Sequence, residues 1–358
     1  MHVERTYKPN YAMEEGHAVR VTKTDLFAAG ANGYHTYRIP ALLTTREGTV
    51  LAFCEARKNG PADAGDIDVA LRRSFDGGVT WEEMRLIADE GTNTIGNPCP
   101  VQDRRTGRIW LLLCRNAEDG HERDILAGKA SRDVLVMWSD DDGGTWSGPR
   151  DITAEVKRPG WTWYATGPGH AVQLADGRLV VPCNHAVLDP DAGVSGPYRS
   201  HVIVSDDGGE TWRLGGIVGD GTNECMLAEL ADCSLYINMR SYHGRHRRAI
   251  AYSRDGGETW SDIAWDEALT EPVCQGSVIA GPDGRLLFAN PASERREKLT
   301  VKRSADNGRT WPEALLLEEG PSAYSDLAVT ADGTVLCMYE CGRHSPYERL
   351  TLARIQDW

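Results

Sequence analysis

The side chains in this sequence that could bind an anion and act on it chemically are arginines, carboxylates and one tyrosine. They are Arg38, Glu55, Arg57, Asp63, Glu224, Arg240, Arg295, Arg296 and Tyr324. A guanidinium stays charged and binds a carboxylate through two parallel hydrogen bonds. A tyrosine hydroxyl can act as a nucleophile when a neighbouring base takes its proton. Nearly 290 residues separate the first of these side chains from the last, so the fold must bring them together.

An octapeptide of the form S-x-D-x-G-x-T-W occurs five times in the chain. The copies are SFDGGVTW at 74–81, SDDDGGTW at 139–146, SDDGGETW at 205–212, SRDGGETW at 253–260 and SADNGRTW at 304–311. The Asp, Gly and Thr are typical of a tight turn in which side chains bond the backbone, and the Trp supplies apolar area that holds the turn against a sheet. We therefore expect five similar turns.

A β-hairpin pattern, in which a polar turn joins two apolar runs, occurs six times. The turns are marked by Gly48, Gly107, Gly177, Cys233, Gly284 and Gly333. They lie 49 to 70 residues apart, which is the length of one four-stranded blade with its loops. The sequence therefore predicts an all-β fold, a six-bladed β-propeller of four-stranded antiparallel blades.

Both ends of the chain are expected to complete the last blade. The C-terminal YERLTLARIQDW has the pattern of one strand, and VRVTKTDLF near the N-terminus has the pattern of another. Joining the two closes the ring and removes exposed sheet edges. We therefore predict a single propeller domain over residues 1–358.

The blade pattern also predicts on which face of the disc each side chain lies. In an up-and-down blade, the hairpin turns and the octapeptides share one face. The opposite face receives the residues that precede the first strand and those that follow the second, and function usually resides in such loops on a rigid scaffold. All nine side chains named above fall on this second face. Because the first strand of each blade lies nearest the axis, Arg38, Glu224 and Tyr324 can converge there.

The formal net charge of -14 limits the classes of partner. Binding to nucleic acid or to an anionic membrane surface normally needs a basic stripe, so we expect neither partner. An anionic substrate would need a local arginine cluster to overcome the field of the whole molecule.

The start of the chain, MHVERTYKPNYAMEEG, is polar, and no segment approaches the length of about 18 apolar residues that a membrane helix requires. The nine cysteines form no CxxC pair or other metal-binding spacing. An odd, scattered set is typical of reduced, buried thiols. We therefore expect a cytoplasmic protein.

Three segments resemble the bacterial and animal sialidase family, and the resemblance covers nearly the whole chain. Tyr-Arg-Ile-Pro at 37–40 is similar to the family's arginine-isoleucine-proline motif. NECMLAEL…YINMRSY resembles the stretch that carries its glutamate and second arginine, and AYSDLAV the stretch that carries its tyrosine. The resemblance implies an exo-α-sialidase, a retaining glycoside hydrolase that removes terminal sialic acid from glycans or sialosides without a metal or organic cofactor.

The resemblance also implies that Arg38, Arg240 and Arg296 form a triad that binds the sialic acid carboxylate. Arg295 and Arg303 compete with Arg296 in the sequence, and the family pattern Arg-x-x-Leu-Thr-Val favours Arg296. For Arg57, beside Glu55, a substrate contact and a structural ion pair remain equal alternatives.

The same resemblance makes Tyr324 the nucleophile, Glu224 the base that takes its proton, and Asp63 the acid and base at the leaving group. Sialidases depart from the usual pair of carboxylates. The anomeric carbon bears a carboxylate, which would repel a carboxylate nucleophile but not a neutral hydroxyl. Asp66 and Asp68 are rivals of Asp63 in the sequence. An acid that works near neutral pH needs a raised pKa, which closure around substrate could supply.

Four further features carry no assigned role in the site. Trp161, Trp163 or Tyr164 could cover a sugar or simply pack, and Glu229 is expected to be structural. The loops SYHGRHRR and GHERD are equally ambiguous. The alternative functions are a non-catalytic propeller that binds glycan or protein, and an enzyme for a deaminated or otherwise modified nonulosonic acid.

Overall fold

The computed structural model describes residues 3–6, 19–189 and 194–358. Most of the polar start of the chain, residues 1–2 and 7–18, lies outside the described residues. The described part consists of strands joined by turns, with two short helices and one 3-10 turn. Within it, no helix has the length and apolar character of a membrane-spanning segment.

The strands fall into six successive groups, or blades, after two N-terminal strands. The N-terminal strands are β1 (Val3–Thr6) and β2 (Arg20–Ala28). Blade 1 contains β3 (Thr36–Thr44), β4 (Val50–Arg57), β5 (Ile67–Ser74) and β6 (Arg85–Ala88). Blade 2 contains β7 (Thr94–Gln102), β8 (Ile109–Asn116), β9 (Asp133–Ser139) and β10 (Arg150–Asp151). Blade 3 contains β11 (Trp161–Thr166) and β12 (Val172–Gln173) as one interrupted inner strand, then β13 (Leu179–Asp189), β14 (Val194–Ser205) and β15 (Arg213–Asp220).

The last three blades follow the same order. Blade 4 contains β16 (Thr222–Glu229), β17 (Leu235–Ser241), β18 (Arg247–Ser253) and β19 (Ala264–Thr270). Blade 5 contains β20 (Ser277–Ala280), β21 (Leu286–Pro291), β22 (Glu297–Ser304) and the first half of β23 (Glu313–Val329). Blade 6 contains the second half of β23, β24 (Val335–Cys341), β25 (Arg349–Gln356) and β2. The helices are α1 (Glu122–Leu126) and α2 (Thr153–Val156), and the 3-10 turn is Ala31–Gly33.

The blades form a closed ring. The inner strands contact one another in sequence from β3 through β7, β12, β16, β20 and β23, and β23 contacts β3 again. Each blade is antiparallel. In blade 6, β2 pairs with β25 so that Arg20 lies opposite Gln356. The predicted six-bladed β-propeller is confirmed.

The hairpin turns adopt the left-handed backbone that their sequences predict. Five turns place glycine at positive φ, and in the sixth Cys233 takes this conformation with a φ of 63°. All nine thiols are free, and eight of them are buried. The expectation of buried thiols is therefore wrong for Cys233, which is exposed because it occupies the turn position of a glycine.

Each octapeptide closes its turn with the aspartate that gives the motif its shape. In the fourth copy, the carboxylate of Asp255 accepts hydrogen bonds from Ser253 Oγ at 2.8 Å and from the backbone N–H of Thr259 at 2.9 Å. The hydroxyl of Thr259 donates to the second oxygen at 2.5 Å. Asp76, Asp141, Asp207 and Asp306 are bonded in the same way. These turns anchor one face of the disc and leave the opposite face to the longer loops.

We expect these turns to lose stability in acid. Slight burial raises the pKa of Asp255, but the hydrogen bonds from Thr259 and Ser253 outweigh it and bring the pKa to about 2. Since the folded pKa lies below the unfolded value, the stabilisation is complete above about pH 4 and is lost as the pH falls toward 2. Asp255→Asn should lower the free energy of unfolding by about 1 kcal/mol at pH 7. In melting curves recorded from pH 7 to 2, the difference from wild type should shrink toward zero, and a constant difference would contradict this account.

A buried carboxylate joins several blades at the axis. Asp326, on β23, accepts hydrogen bonds from the backbone N–H of Leu42 in blade 1 and from Ser277 Oγ in blade 5, each at 2.8 Å. Its Oδ1 lies 2.9 Å from His170 Nδ1 in blade 3. Because Asp326 lies two residues after Tyr324, these contacts fix the part of β23 that carries Tyr324.

Candidate active site

A cavity of about 220 Å³ opens on the face opposite the octapeptides. The side chains that the sequence predicted for the site all line it, namely Arg38, Arg57, Asp63, Glu224, Arg240, Arg296 and Tyr324. Glu55 lines it as well. The structure thus brings together residues from blades 1, 4, 5 and 6, as the positional argument from the repeats requires.

Tyr324, Glu224 and Arg240 form one hydrogen-bonded group in the cavity. The hydroxyl of Tyr324 donates to Glu224 Oε1 at 2.5 Å. Arg240 Nη1 donates to the other oxygen, Glu224 Oε2, at 2.9 Å, and to the Tyr324 hydroxyl at 3.3 Å. Burial and the neighbouring Glu224 raise the pKa of Tyr324 well above its ordinary value, although Arg240 opposes the shift. The hydroxyl is therefore held neutral, with a base already in contact with its proton.

The guanidinium of Arg38 is fixed by a buried carboxylate that was not among the candidates from the sequence. Arg38 Nε and Nη2 donate to the two oxygens of Glu340 at 3.0 and 3.3 Å. Glu340 is fully buried on β24 and also accepts the backbone N–H groups of Ile39 and Tyr324. One side chain therefore positions both the arginine and the backbone of the tyrosine.

Of the three arginines that compete in the fifth blade, Arg296 alone lines the cavity. Its Nη1 donates to the hydroxyl of Tyr347 at 2.7 Å, and its guanidinium lies 5.7 Å from the centre of the Tyr324 ring. Arg295 is exposed and pairs with Glu297, while Arg303 lies on β22 and pairs with Glu313. Among the described residues, no carboxylate forms an ion pair with Arg296, so its charge is available to an anion in the cavity.

Arg57 anchors the loop that carries Asp63. Its Nε and Nη2 donate to Glu55 Oε2 at 2.9 and 2.6 Å. Its Nη1 donates to the carbonyl oxygens of Pro61 and Ala62 and lies 2.7 Å from Asp63 Oδ1. Arg57 is 2% exposed. The structure therefore shows the ion pair with Glu55, and because Arg57 also lines the cavity, its contact with a substrate stays a prediction.

Asp63 lies at the rim of the cavity, with a side chain 59% exposed, between Arg57 and Arg38. Partial removal from water at the rim raises the pKa of Asp63, but the charges of Arg57 and Arg38 outweigh this effect and leave the pKa below its ordinary value. The raised pKa that an acid needs is thus absent from the free site. Of its two rivals, Asp68 accepts a hydrogen bond from Tyr34 outside the cavity at 2.5 Å, and Asp66 does not line the cavity.

The inner strands share a bulge at the functional positions. In β3, β7, β16 and β23 the strand register shifts by one residue, so that two residues are left unpaired. The unpaired residues are Ile39 and Pro40, Asn97 and Pro98, Asn223 and Glu224, and Ala323 and Tyr324. A bulge of this kind redirects side chains. It presents Glu224 and Tyr324 to the cavity from strands that otherwise pack into the core.

The wall formed by blades 2 and 3 contains Asn97, Arg132 and Trp163. Of the three aromatic residues with an open role, Trp163 alone lines the cavity. Trp161 stacks on His185 at 3.4 Å between ring centres, and Tyr164 is fully buried. The register of β11 shifts between Trp161 and Tyr164, so Trp163 lines the cavity although Trp161, two residues earlier, packs against His185.

Both ambiguous loops contribute to the cavity as well. Glu122, from GHERD, accepts a hydrogen bond from the hydroxyl of Tyr198. Tyr242, from SYHGRHRR, stacks on Tyr198 with ring centres 5.5 Å apart and lies against Arg240. Glu229 does not line the cavity and accepts the backbone N–H of Ala175, as expected of a structural residue.

This arrangement can bind a carboxylate and attack a carbon next to it. Arg38, Arg240 and Arg296 surround Tyr324, whose neutral hydroxyl already contacts a base. Asp63 lies at the rim, where a leaving group would depart. A guanidinium cluster next to an activated hydroxyl is suited to an anionic substrate.

Comparisons with known proteins identify relatives of this chain. The family model described as "BNR repeat-like domain" matches residues 48–337. A curated sialidase of Bacteroides fragilis is 34% identical over 91% of this chain and 64% of its own length. Sialidase-3 of Mus musculus is 31% identical over 90% of this chain and 91% of its own length. The solved structure titled "Hadza microbial sialidase Hz136" matches with a TM-score of 0.83 at 33% identity and covers 92% of this chain and 67% of that one. The chain spans less than two thirds of the Bacteroides relative.

Proposed function

The chain belongs to the sialidase family, and on that premise we propose that it is an exo-α-sialidase that hydrolyses terminal sialic acid from glycans or sialosides with retained configuration. Tyr324 is the nucleophile, Glu224 its base, and Asp63 the acid and base at the leaving group. The single observation that carries this proposal is the contact of 2.5 Å between the Tyr324 hydroxyl and Glu224 Oε1 within a ring of three arginines.

The arginine triad binds the substrate carboxylate. Each guanidinium offers planar donors that match carboxylate geometry. Arg38 and Arg240 are already compensated by Glu340 and Glu224, whereas Arg296 donates to a tyrosine hydroxyl. The triad therefore keeps a net positive charge in a protein whose formal net charge is -14. This local charge attracts the substrate's carboxylate to the triad, which places the anomeric carbon next to Tyr324.

In the first step, Tyr324 Oη attacks the anomeric carbon while its proton passes to Glu224. The bond from the anomeric carbon to the glycosidic oxygen breaks, and Asp63 gives that oxygen a proton. The product is a sugar joined covalently to Tyr324, with the aglycone released as an alcohol. A carboxylate nucleophile would be repelled by the substrate's own carboxylate, whereas the tyrosine hydroxyl is neutral in the free site because burial and Glu224 raise its pKa.

In the second step, Asp63 takes a proton from water and the water oxygen attacks the anomeric carbon. The bond to Tyr324 Oη breaks, and Glu224 returns the proton to the phenolic oxygen. Two inversions at one carbon give net retention.

Asp63 begins this cycle protonated only if its pKa rises when substrate is bound. Neutralisation of Arg38 by the substrate carboxylate and exclusion of water both act in that direction.

The activity is tested with the 4-methylumbelliferyl α-glycoside of N-acetylneuraminic acid. We expect release of the fluorophore, and proton NMR of the early product should show the α-anomer before mutarotation. The β-anomer as first product would contradict the covalent mechanism. A wild-type protein that is silent on this glycoside and on its deaminated analogue would overturn the proposal and favour a binding propeller.

Replacement of Asp63 should affect poor leaving groups most. A galactose hydroxyl needs a proton to depart, whereas methylumbelliferone leaves readily as an anion. We expect Asp63→Ala to lower kcat/KM for sialyllactose by about 10²- to 10⁴-fold and to affect the aryl glycoside much less in its first step. Asp66→Ala is the matched control, since Asp66 lies outside the cavity. Equal losses on both substrates would argue that Asp63 has no role as an acid.

A further inference from the structure

On the octapeptide face, a repeated ion-pair pattern joins one blade to the next. In blade 3, Arg178 lies just before β13, and its Nε donates to Asp206, the second residue of the octapeptide in the same blade, at 2.7 Å. Its Nη1 donates to Glu258, the sixth residue of the next octapeptide, at 2.8 Å. Arg108 makes the same two contacts between blades 2 and 3. One arginine and two acids thus close the junction between neighbouring blades.

Between blades 4 and 5, the residues at all three positions of this pattern differ in charge. The position just before β17 holds Ser234, the second residue of the octapeptide in blade 4 is Arg254, and the sixth residue of the next octapeptide is Arg309. A neutral residue thus replaces the arginine, and two arginines replace the acids. Both arginines are exposed. Among the described residues, neither side chain has an ion pair or a hydrogen bond, so both charges are available to a ligand.

A groove of about 670 Å³ opens at this junction, a volume within the range of small-molecule sites. Both arginines line it, together with the partly buried rings of Tyr252 and Trp260. Asp232 is the one acid among the described residues that line it, and its carboxylate accepts the N–H and the hydroxyl of Ser234 at 3.1 and 2.5 Å. Two arginines against one aspartate leave the groove positive in a protein whose formal net charge is -14.

We propose that this groove is a second binding site, which holds an acidic glycan. A carboxylate or sulfate group of the glycan lies between Arg254 and Arg309, and a sugar ring packs on Tyr252 or Trp260. This inference goes beyond the proposed function and does not rest on it, because none of these residues belongs to the cavity on the opposite face.

The chemistry of the lining favours an acidic saccharide over an acidic peptide. Guanidinium groups match the geometry of carboxylate and sulfate oxygens, and an aromatic face packs against the apolar C–H face of a sugar. Hydroxyl and amide groups of Thr259, Ser261 and Asn307 can bond to sugar hydroxyls. Among the described residues of the groove, Leu230 is the one aliphatic side chain, and it is only 7% exposed. The groove therefore offers little apolar surface to the side chains of a peptide.

The position of the groove makes its occupant independent of the substrate. The groove lies among the octapeptides, whereas the cavity opens on the other face of the disc. A glycan bound in the groove therefore leaves the cavity free. Two sites on one protein raise its retention on a polymeric glycan that both can reach.

The test is isothermal titration calorimetry of the full chain with three tetrasaccharides that lack sialic acid. A hyaluronan fragment carries carboxylates, a desialylated keratan sulfate fragment carries sulfates, and chitotetraose is neutral. We expect at least one acidic tetrasaccharide to bind, and to bind at least about tenfold more tightly than chitotetraose. Binding of hyaluronan alone identifies the carboxylate as the recognised group, and binding of keratan sulfate alone identifies the sulfate. Equal binding of all three, or of none, overturns the inference.

A charge-reversal variant locates the bound saccharide. Arg254→Asp combined with Arg309→Glu introduces the acids that blade 3 and its neighbour hold at these two exposed positions, and it should weaken binding by at least about tenfold. Its melting temperature should match that of the wild type. Arg105→Glu is the matched control, since this side chain is 76% exposed in a hairpin turn of the octapeptide face and lies outside the groove. Equal weakening by the control, or no weakening by the double variant, overturns the site.

Two further measurements separate the groove from the cavity and a saccharide from a peptide. The acidic tetrasaccharide should not compete with the aryl sialoside for hydrolysis, and the double variant should retain the wild-type kcat/KM. Competitive inhibition would place the saccharide in the cavity, and hexaglutamate that binds as tightly as the saccharide would assign the groove to an acidic peptide. Either result overturns the inference. A protein that does not hydrolyse the sialoside overturns the sialidase proposal, while the binding and melting measurements still decide the inference.

Discussion

Tyr324→Phe is expected to lower kcat on the aryl sialoside by about 10³-fold or more, the scale of losing a nucleophile together with its proton transfer. The substitution removes one oxygen and leaves the ring between Arg38 and Arg296. Substrate binding through the triad should survive, so the loss should fall on kcat and not on KM. The hydrogen bond to Glu224 Oε1 disappears with the hydroxyl.

Two controls separate chemistry from folding in this experiment. Tyr252→Phe makes the same atomic change on the octapeptide face, where the hydroxyl donates only to the carbonyl oxygen of Asn307 at 3.1 Å, and should leave kcat unaltered. Incubation of the wild type with 2,3-difluorosialic acid, followed by digestion and mass spectrometry, should add the sugar to the peptide that contains Tyr324. Modification of another residue, or full activity of Tyr324→Phe, would remove Tyr324 from the mechanism.

Glu340→Gln should have the largest effect on stability. Glu340 is fully buried and compensates Arg38, so its neutral replacement leaves the buried guanidinium with only the exposed carboxylate of Asp63, at 3.4 Å, as a charged partner. Breaking one partner of a buried ion pair costs about 3–5 kcal/mol. The amide group also turns an NH₂ toward donors that now bond to carboxylate oxygens, including the N–H groups of Ile39 and Tyr324. We therefore expect a rise in KM as well, because Arg38 and the tyrosine backbone lose their common support.

The measurement is a denaturant titration of both proteins with parallel kinetics. Glu313→Gln is the matched control, since Glu313 pairs with Arg303 at 2.9 Å near the surface and should contribute less than about 1 kcal/mol. If Glu340→Gln unfolds at the same midpoint as the control, the buried pair with Arg38 does not stabilise the fold.

The architecture could be predicted from the sequence because it repeats. Six copies of a hairpin and five of an octapeptide fix the period of a blade, and the period fixes which loops share a face. That positional argument needs no side-chain detail, and it placed Arg38, Glu224 and Tyr324 together although they come from blades 1, 4 and 6. Once the backbone repeats, the location of each residue within one copy predicts its location in the ring.

The parts of the site that the sequence did not reveal depend on deviations from the repeat. The bulges in four inner strands have no fixed residue pattern, since their unpaired positions hold residues as different as Ile39 and Tyr324. Glu340 was missed because it lies within the apolar strand β24, although a signal was present. Glu340 lies opposite the bulge of β23, in the same register position that Arg240 holds opposite the bulge of β16. The same position holds apolar residues in blades 1 and 2, Cys54 and Leu113, so the two charged residues stand out as candidates for the site.

Arg132 could not be assigned from the sequence, because nothing local distinguishes it from a surface arginine. Its neighbours in the chain belong to a loop, and the exposed Arg123 nearby pairs only with Asp124. Its burial depends on Asn97, Asn116 and the carbonyl of Tyr164, which come from three other strands. Contacts of that range are a property of the assembled ring.

The pairing of β2 with β25 sets the order of events during synthesis on the ribosome. More than 300 residues separate the two strands, so at translation rates of about 5–20 residues per second β2 waits for tens of seconds before its partner emerges. Its sequence RVTKTDLFA carries lysine and arginine, charges that discourage pairing of a lone strand with other chains. Blade 6 also supplies Tyr324, Glu340 and Tyr347, so the cavity of a nascent chain is incomplete until its last strands have left the ribosome.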